Sequence, residues 1–164
     1  LRSTLHHGEE ALVPLKEEIE LSELYIDLEK LRFEDSMTVE KEFPESETWT
    51  EVLIPPFVIQ PLVENAFWHG LTQSENENKI LKLKIAENQH KIEVLVIDNG
   101  VGFGNAKKVT DEALNKKKSY GLNIIKERFD LLNIDSEYSY YVAINPIENQ
   151  QGTEAKVTII KKHG

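Results

Sequence analysis

The sequence predicts an α+β fold, a two-layer α/β sandwich in which helices pack on one face of a mixed, largely antiparallel sheet. Three observations support this prediction. Apolar residues recur at helical spacing in the first third of the chain, they alternate at every second position in the middle, and two strand-like runs close the chain after a further helical segment. Helices and antiparallel strands in grouped order are typical of this class.

The first predicted element is an amphipathic helix over residues 15–33. Acidic residues lie mostly on other faces of this helix, so we expect one apolar stripe to pack against the rest of the domain. The stripe comprises Leu21, Leu24, Tyr25, Leu28 and Leu31. The preceding residues read as a short helical tail that is broken at Gly8 and Pro14.

A strand at residues 39–43 and a second helix within residues 55–70 follow. Pro61 either kinks this helix or lies in its first turn, because proline lacks the N–H that an interior position would donate. Gly70 is predicted to end the helix. The period then changes to two, and residues 80–87 and 91–98 predict a hairpin. Its second strand is apolar on both faces just before Asp98, which predicts full burial.

The last third of the chain begins with a polar segment, residues 103–118, that shows little apolar periodicity. Two interpretations remain open, a mobile polar loop and a solvated surface insertion. Ser119 is predicted to cap a third helix. Residues 138–147 and 153–162 are predicted strands around a polar turn. The buried stripe of the third helix comprises Leu122, Ile125, Phe129 and Leu132.

Composition and charge exclude several classes of function. The chain has 164 residues, of which 40% are hydrophobic, and this suits one domain with an ordinary core. A formal net charge of −10 argues against a nucleic-acid or anionic-membrane surface, so an anionic ligand must be held locally. The absence of cysteine excludes disulfides and thiolate metal sites, and it fits a reducing compartment. The start at Leu1 without a Met predicts an excised piece of a longer protein.

A carboxylate at a strand end followed by glycines is the first candidate site. Asp98 precedes Gly100, Gly102 and Gly104, which lie at every second position. The dinucleotide motif G-x-G-x-x-G and the Walker motif are both absent. Alternating glycines let the backbone turn sharply and approach a ligand closely. Taken alone, however, an aspartate here is more often a turn residue than a ligand.

Four separated segments together resemble the N, G1, G2 and G3 boxes of the Bergerat-fold ATPases, a group that includes Hsp90, gyrase B, MutL and the histidine kinases. They are VENAFWHG at 63–70, DNGVGFG at 98–104, SYGLNIIKER at 119–128 and GTEAKVTI at 152–159. Within that group, IPPFVIQPLVENAFWHG at 54–70 resembles the catalytic domains of LytS/YehU-type sensor histidine kinases. The resemblance implies a tail of dimerisation helix and linker at residues 1–14 and an ATP-binding catalytic domain at residues 15–164.

The resemblance also implies the ligands, ATP and Mg²⁺, and the residues that bind them. Asp98 would accept a hydrogen bond from the exocyclic amine of adenine, because a fixed acceptor selects an amino-purine over a keto-purine. Asn65 would hold Mg²⁺ through its amide oxygen. The other implied nucleotide-binding residues are Gly100 and Gly102, which admit the nucleotide, Gly121, Leu122 and Asn123, which form a phosphate-binding turn at a helix start, and Thr153, which supports the adenine site.

Two positions depart from the family patterns. Many histidine kinases carry a phosphate-contacting Lys or Arg three residues after the N-box Asn, and that position here is Trp68. His69 is the alternative phosphate contact, and a packed or capping His is the other interpretation. ATP-hydrolysing clamps of this fold place a Glu base where this chain has Pro61, so water activation is unsupported. Glu64 is the candidate general base for an imidazole nucleophile, by family analogy.

We therefore expect the Mg²⁺·ATP-binding catalytic domain of a two-component sensor histidine kinase, which presents the γ-phosphate to a phosphoacceptor His on a dimerisation domain that this chain lacks. His6 and His7 are interpreted as linker residues. The alternatives are a non-enzymatic nucleotide-sensing module or pseudokinase, and an ATP-hydrolysing clamp of the same fold.

Partners and location follow from the same resemblance. The expected partners are the protein's own dimerisation domain and a cognate response regulator, and no nucleic acid. The full-length protein is expected to be a homodimer, whereas this piece is expected to be monomeric. The full-length protein is also expected to be anchored in a bacterial inner membrane, with this domain in the cytoplasm.

Overall fold

The computed structural model describes residues 11–102, 111–148 and 150–162 of the chain. Residues 1–10 of the predicted tail, which include His6 and His7, lie outside the described residues. The same holds for the first half of the polar segment, residues 103–110. The rest of the predicted helical tail is wrong, because Val13–Pro14 form a short strand that pairs with Leu53–Ile54.

A five-stranded mixed sheet forms one layer of the domain. The first strand in the spatial order is parallel to its neighbour, and every other pair is antiparallel. The predicted mixed, largely antiparallel sheet is confirmed. In spatial order the strands are β2 (Met37–Glu42), β4 (Lys79–Glu87), β5 (Lys91–Asp98), β7 (Thr153–Lys161) and β6 (Tyr138–Pro146); the short strands β1 (Val13–Pro14) and β3 (Leu53–Ile54) pair separately.

In the described part of the chain, three helices form the second layer and enclose the core against one face of the sheet. They are α1 (Leu15–Phe33), α2 (Ile59–Asn65) and α3 (Asp111–Leu132), and α2 continues directly into a π-helical turn, Ala66–Leu71. Alternate residues of the central strands face this layer, including Leu83, Val94, Val96 and Val157, and all are buried. The two-layer sandwich is therefore confirmed.

The predicted bounds of α1 are confirmed, but the predicted packing face is wrong. Four leucines of the predicted stripe are between 40% and 76% exposed, namely Leu21, Leu24, Leu28 and Leu31, and Tyr25 is half-buried. The face that packs on the core comprises Leu15, Glu18, Ile19, Ser22 and Ile26. Two apolar faces with overlapping helical periods occur on this helix, so spacing alone cannot tell which of them the fold covers.

A buried carboxylate from α1 caps the start of α2. Both oxygens of Glu18 accept backbone N–H bonds, from Phe57 at 2.7 Å, Val58 at 2.9 Å and Ile59 at 3.0 Å. These are among the donors that a helix start leaves without intrahelical partners. Phe57 adopts a φ of 58°, which an L-residue rarely does and which turns these N–H groups together. Because α2 begins at Ile59, Pro61 lies in its first turn.

The predicted full burial of β5 is also wrong. Along the strand, buried residues alternate with half-buried ones, so only one face of the strand lies in the core. The outer face of the sheet is covered by ion pairs between neighbouring strands, such as Lys84 to Glu42 at 3.0 Å and the pair of Lys82 with Glu42. Leu95, which lies opposite Lys84 in the sheet, is half-buried on this face.

The third helix begins well before its predicted cap, Ser119. It starts at Asp111, so residues 111–118 are helical rather than a loop, and Ser119 is an interior residue instead of the cap. Residues 112–118 contain Glu, Ala, Leu and three Lys, which are good helix formers without an apolar stripe. Periodicity therefore missed them. The predicted packing face is confirmed by Ile125 and Phe129, which are buried.

Candidate nucleotide site

Asp98 lies at the end of the central strand β5 and is only 3% exposed. Its neighbours across the sheet are Leu81 on β4 and Thr153 on β7, and Thr153 is buried as well. The backbone N–H of Gly100 donates to Asp98 Oδ1 at 2.9 Å, which fixes the orientation of the carboxylate. Asp98 and Gly100 from one predicted segment and Thr153 from another therefore meet at one edge of the sheet.

Glycines surround this carboxylate because no side chain fits there. A Cβ atom on Gly70 would overlap Oδ1 of Asp98, and one on Gly100 would overlap the backbone of Gly70. A Cβ atom on Gly152 would overlap the carbonyl oxygen of Asp98, and its φ of 128° is itself unfavourable for other residues. Gly70 was predicted only to end the helix; instead the π-helical turn runs on to Leu71, and Gly70 packs against Asp98.

Asn99 fastens the strand end to the loop before β4. Its Oδ1 accepts from the N–H of Ile80 at 2.7 Å, and its Nδ2 donates to the carbonyl of Asn78 at 2.9 Å. Its own carbonyl accepts from the side chain of Asn76 at 2.8 Å. Sequence reasoning missed Asn99, although an asparagine directly after a strand-end aspartate is a typical turn signal.

The other part of the candidate site lies on α2 and the π-helical turn. Asn65 is the last residue of α2 and is half-buried. Beside it, the carboxylate of Glu64 accepts from Gln60 Nε2 at 3.0 Å. His69 is half-buried and directly precedes Gly70, so one short segment leads from Asn65 to Asp98. π-helical turns within α-helices are frequent at functional sites.

Trp68 connects this segment to α1. Its ring is 48% exposed, and its Nε1 donates to the hydroxyl of Tyr25 at 3.1 Å. The guanidinium carbon of Arg32 lies 4.9 Å from the centroid of the same ring. The pKa of Tyr25 is raised, chiefly because burial disfavours the phenolate; the Trp68 hydrogen bond and Arg32 lower it, and the charges of Glu29 and Glu64 raise it.

The helix-start geometry implied for Gly121, Leu122 and Asn123 is wrong. All three lie inside α3, whose first residue is Asp111. The N–H groups of a helix interior bind the carbonyls four residues earlier, so they do not point at a ligand. Leu122 packs against the core, and Asn123 is exposed.

The described side chains could hold Mg²⁺ only if a bound ligand supplied further oxygen atoms. Within the described ranges, the His, Cys, Asp and Glu side chains do not form any group of three that could hold a metal ion. Mg²⁺ is usually held by one or two protein oxygens together with substrate phosphates and waters. The amide oxygen of Asn65 suits such a shared site.

Among the described residues, the helices lack the combined length and apolar character of a membrane span.

Solved structures of histidine kinases align with this fold. The catalytic domain of histidine kinase ThkA aligns with a TM-score of 0.59 and 16% identity, covering 94% of this chain and 98% of that one. ThkA also has a structure in complex with the response regulator protein TrrA, which aligns at 0.58 and 17% identity, covering 92% and 41%. Full-length ShkA in complex with AMPPNP aligns at 0.59 and 12% identity, covering 96% and 33%. At such identities the likeness shows the fold alone, which is that of the GHKL histidine kinase catalytic domains.

Sequence comparison narrows this class. Sensor protein LytS of Oceanobacillus iheyensis is 31% identical over 144 residues, which are 84% of this chain and 24% of that protein. LytS of Staphylococcus saprophyticus is 30% identical over 162 residues, which are 96% of this chain and 26% of that protein. The sequence profile of the family described as "Histidine kinase" matches residues 1–37. The chain belongs to the LytS-like sensor histidine kinases, and it spans about a quarter of the length of these relatives.

Proposed function

We propose that this chain is the Mg²⁺·ATP-binding catalytic domain of a two-component sensor histidine kinase, and that it presents the γ-phosphate to a phosphoacceptor His on the dimerisation domain of the full-length protein. The observation that carries the proposal is the carboxylate of Asp98. It is buried at the end of the central strand, oriented by the N–H of Gly100 and enclosed by glycine backbone.

Asp98 supplies the selectivity for adenine in this proposal. An ionised carboxylate only accepts hydrogen bonds, so it pairs with the exocyclic amine of adenine and leaves the keto oxygen of guanine facing another acceptor. Burial makes such a mismatch costly. Thr153, opposite Asp98 on β7, supports the same end of the ligand with a hydroxyl that both donates and accepts.

Asn65 and Glu64 act at the phosphate end. Asn65 would hold Mg²⁺ through its amide oxygen, and the bound ion would supply neutralisation of phosphate charge. Gln60 keeps the carboxylate of Glu64 in a fixed direction. Glu64 would take the proton of the attacking imidazole while the N–P bond forms and the bond from the γ-phosphorus to the bridging oxygen breaks, with ADP as the leaving group. The protein's contribution is mostly positioning and charge neutralisation, as in other phosphoryl transfers.

The partners of the full-length protein are part of this proposal. ThkA in complex with a response regulator supports a response regulator as the downstream partner. The protein's own dimerisation domain supplies the acceptor His and makes the full-length protein a homodimer. We also propose that the full-length protein is anchored in a bacterial inner membrane with this domain in the cytoplasm; the matched relatives are sensor proteins of which this chain spans about a quarter.

Trp68 favours a second candidate, a nucleotide-sensing module without transfer activity. It stands where a phosphate-contacting basic residue is expected, and its ring lies against α1. The two candidates differ in whether phosphate moves. Phosphohistidine formation from [γ-³²P]ATP in the full-length protein supports the kinase, whereas nucleotide binding without transfer supports the sensing module. An ATP-hydrolysing clamp is disfavoured because Pro61 occupies the position of its base.

Calorimetric titration of this chain with Mg²⁺·ATP and with Mg²⁺·GTP tests the adenine role. We expect Asp98→Asn to lower ATP affinity by roughly 100-fold, because the amide replaces a charged acceptor in a buried site. Asp130→Asn makes the same chemical change at an exposed position of α3 and should bind normally. Equal ATP affinity in the two variants would contradict the proposal.

A further inference from the structure

We infer that Arg32 is a phosphate-binding residue of the nucleotide site and that Trp68 holds its guanidinium in place. This inference rests on the proposed function and adds a cation to its phosphate end. Arg32 lies in the last turn of α1, far in sequence from the four segments that carry the family resemblance.

Arg32 lies against the ring of Trp68. The guanidinium carbon of Arg32 lies 4.9 Å from the centroid of the Trp68 ring, which is within the range of a cation–π contact. Trp68 follows Asn65 by three residues on one continuous helical segment, so its backbone lies within one turn of the end of α2. Arg32 therefore lies beside the end of the site where Asn65 would hold the metal and the phosphates.

Neighbouring side chains hold the guanidinium of Arg32 in one position. Glu29 accepts a hydrogen bond from Nη1 of Arg32 at 2.8 Å, and the Trp68 ring covers one face of the guanidinium. The ring is itself held by Tyr25 through the bond from Nε1 to the phenolic hydroxyl. A guanidinium carries five N–H donors in a rigid fork, so these contacts leave donor capacity for a phosphate. The Arg32 side chain is 51% exposed, and an incoming anion can reach it.

Two carboxylates lie in the same neighbourhood as Arg32. Glu29 and Glu64 are both close enough to raise the pKa of Tyr25, and Arg32 is close enough to lower it. These three charges thus share one neighbourhood. A triphosphate at Asn65 would be repelled by two carboxylates in a protein of net charge −10. Arg32 is a cation that the structure holds beside them, and Arg–phosphate contacts are strong and directional.

This arrangement accounts for tryptophan at position 68. A basic residue there would reach the phosphates directly. Instead, Trp68 offers a flat π surface that orients a cation supplied by another helix. The phosphate end of the site is then assembled from α1, from the end of α2 and from the π-helical turn that follows it.

The experiment compares the affinities of the chain for ATP, ADP and adenosine, with Mg²⁺ present, by calorimetry. Arg32→Ala should weaken ATP binding by about tenfold or more and leave adenosine binding unchanged, because adenosine lacks phosphate. Arg32→Lys should be intermediate, since it keeps the charge and loses the fork. Lys30→Ala is the matched control: it removes the same charge from an exposed position of the same helix and should bind ATP normally.

The outcomes separate this inference from the proposed function. If the unmutated chain binds Mg²⁺·ATP and Arg32→Ala binds it equally well, the role of Arg32 is overturned and the proposed function stands. A parallel loss of ATP and adenosine affinity in Arg32→Ala shows a merely structural role and also overturns the inference. If the unmutated chain binds neither ATP nor adenosine, the proposed function fails, and the role of Arg32 fails with it.

Discussion

The two ends of the candidate site are built in different ways. At the strand end, Asp98 is buried between neighbouring strands, and the atoms around it are mostly backbone. At the helix end, Asn65, Glu64 and Trp68 are half-buried or exposed, and their neighbours are side chains of α1 and α2.

Because of this difference, the helix end of the site can be adjusted more easily than the strand end. Backbone held by a sheet cannot shift without breaking ladder hydrogen bonds, so the strand end is suited to recognising one base. The helix end depends on α1, through the Glu18 cap and through the contacts of Tyr25 and Arg32. Any displacement of α1 would therefore change the phosphate end and leave the adenine end in place.

The largest effect is expected from Gly100→Ala, which would break the strand end. The new methyl group would overlap the backbone of Gly70, which in turn packs on Asp98. We expect the free energy of unfolding to fall by about 3 kcal/mol, at the upper end for overpacking, and nucleotide binding to be lost. Urea denaturation and calorimetry with ATP measure both. Normal stability together with normal binding would show that the backbone there is not tightly packed.

Glu18→Ala should give the next largest effect, because it leaves three N–H groups without their acceptor, two of them in buried hydrogen bonds. We expect a loss of about 2–3 kcal/mol in the free energy of unfolding, measured with urea, and a smaller loss for Glu18→Gln, whose amide oxygen still accepts. If the cap acts on the helix end alone, Glu18→Gln should weaken Mg²⁺·ATP binding more than adenosine binding. Equal weakening of the two would mean that both ends move together.

Asn65→Ala should affect the ligand rather than the fold. The residue is half-buried at the end of α2, so we expect unfolding to change by less than about 0.5 kcal/mol. ATP affinity should become independent of Mg²⁺, which calorimetry with and without the ion would show. Asn123→Ala is the control on the exposed face of α3. A Mg²⁺ dependence that persists in Asn65→Ala would mean that another residue holds the metal.

Gly121→Ala is expected to have the smallest effect, because Gly121 lies outside both the strand end and the helix end of the candidate site. A Cβ atom on Gly121 meets nothing within 4 Å, and the residue is inside α3. Alanine should therefore raise the free energy of unfolding by about 0.5–1 kcal/mol, seen as a higher urea midpoint, without changing ATP affinity. Weaker ATP binding would restore the phosphate-binding turn that the sequence implied.

Much of the fold and part of the site were predictable from the sequence. The bounds of α1, the β4–β5 hairpin and the final strands follow from local periodicity, which depends only on neighbouring residues. Residues 111–118 were missed because helix propensity without an apolar stripe leaves no periodic signal. Asp98 and Thr153 were identified by motif, and the sheet register then placed them side by side.

Local pattern and short motifs were enough to predict most element types, the grouping of helices and strands, and the family. The folded chain was needed to show which face of α1 is buried, why Gly70 and Gly152 are glycines, and that Glu18 and Arg32 reach elements distant in sequence. Burial, steric overlap and charge proximity arise only between segments that the fold brings together. A pattern read along one segment does not contain them.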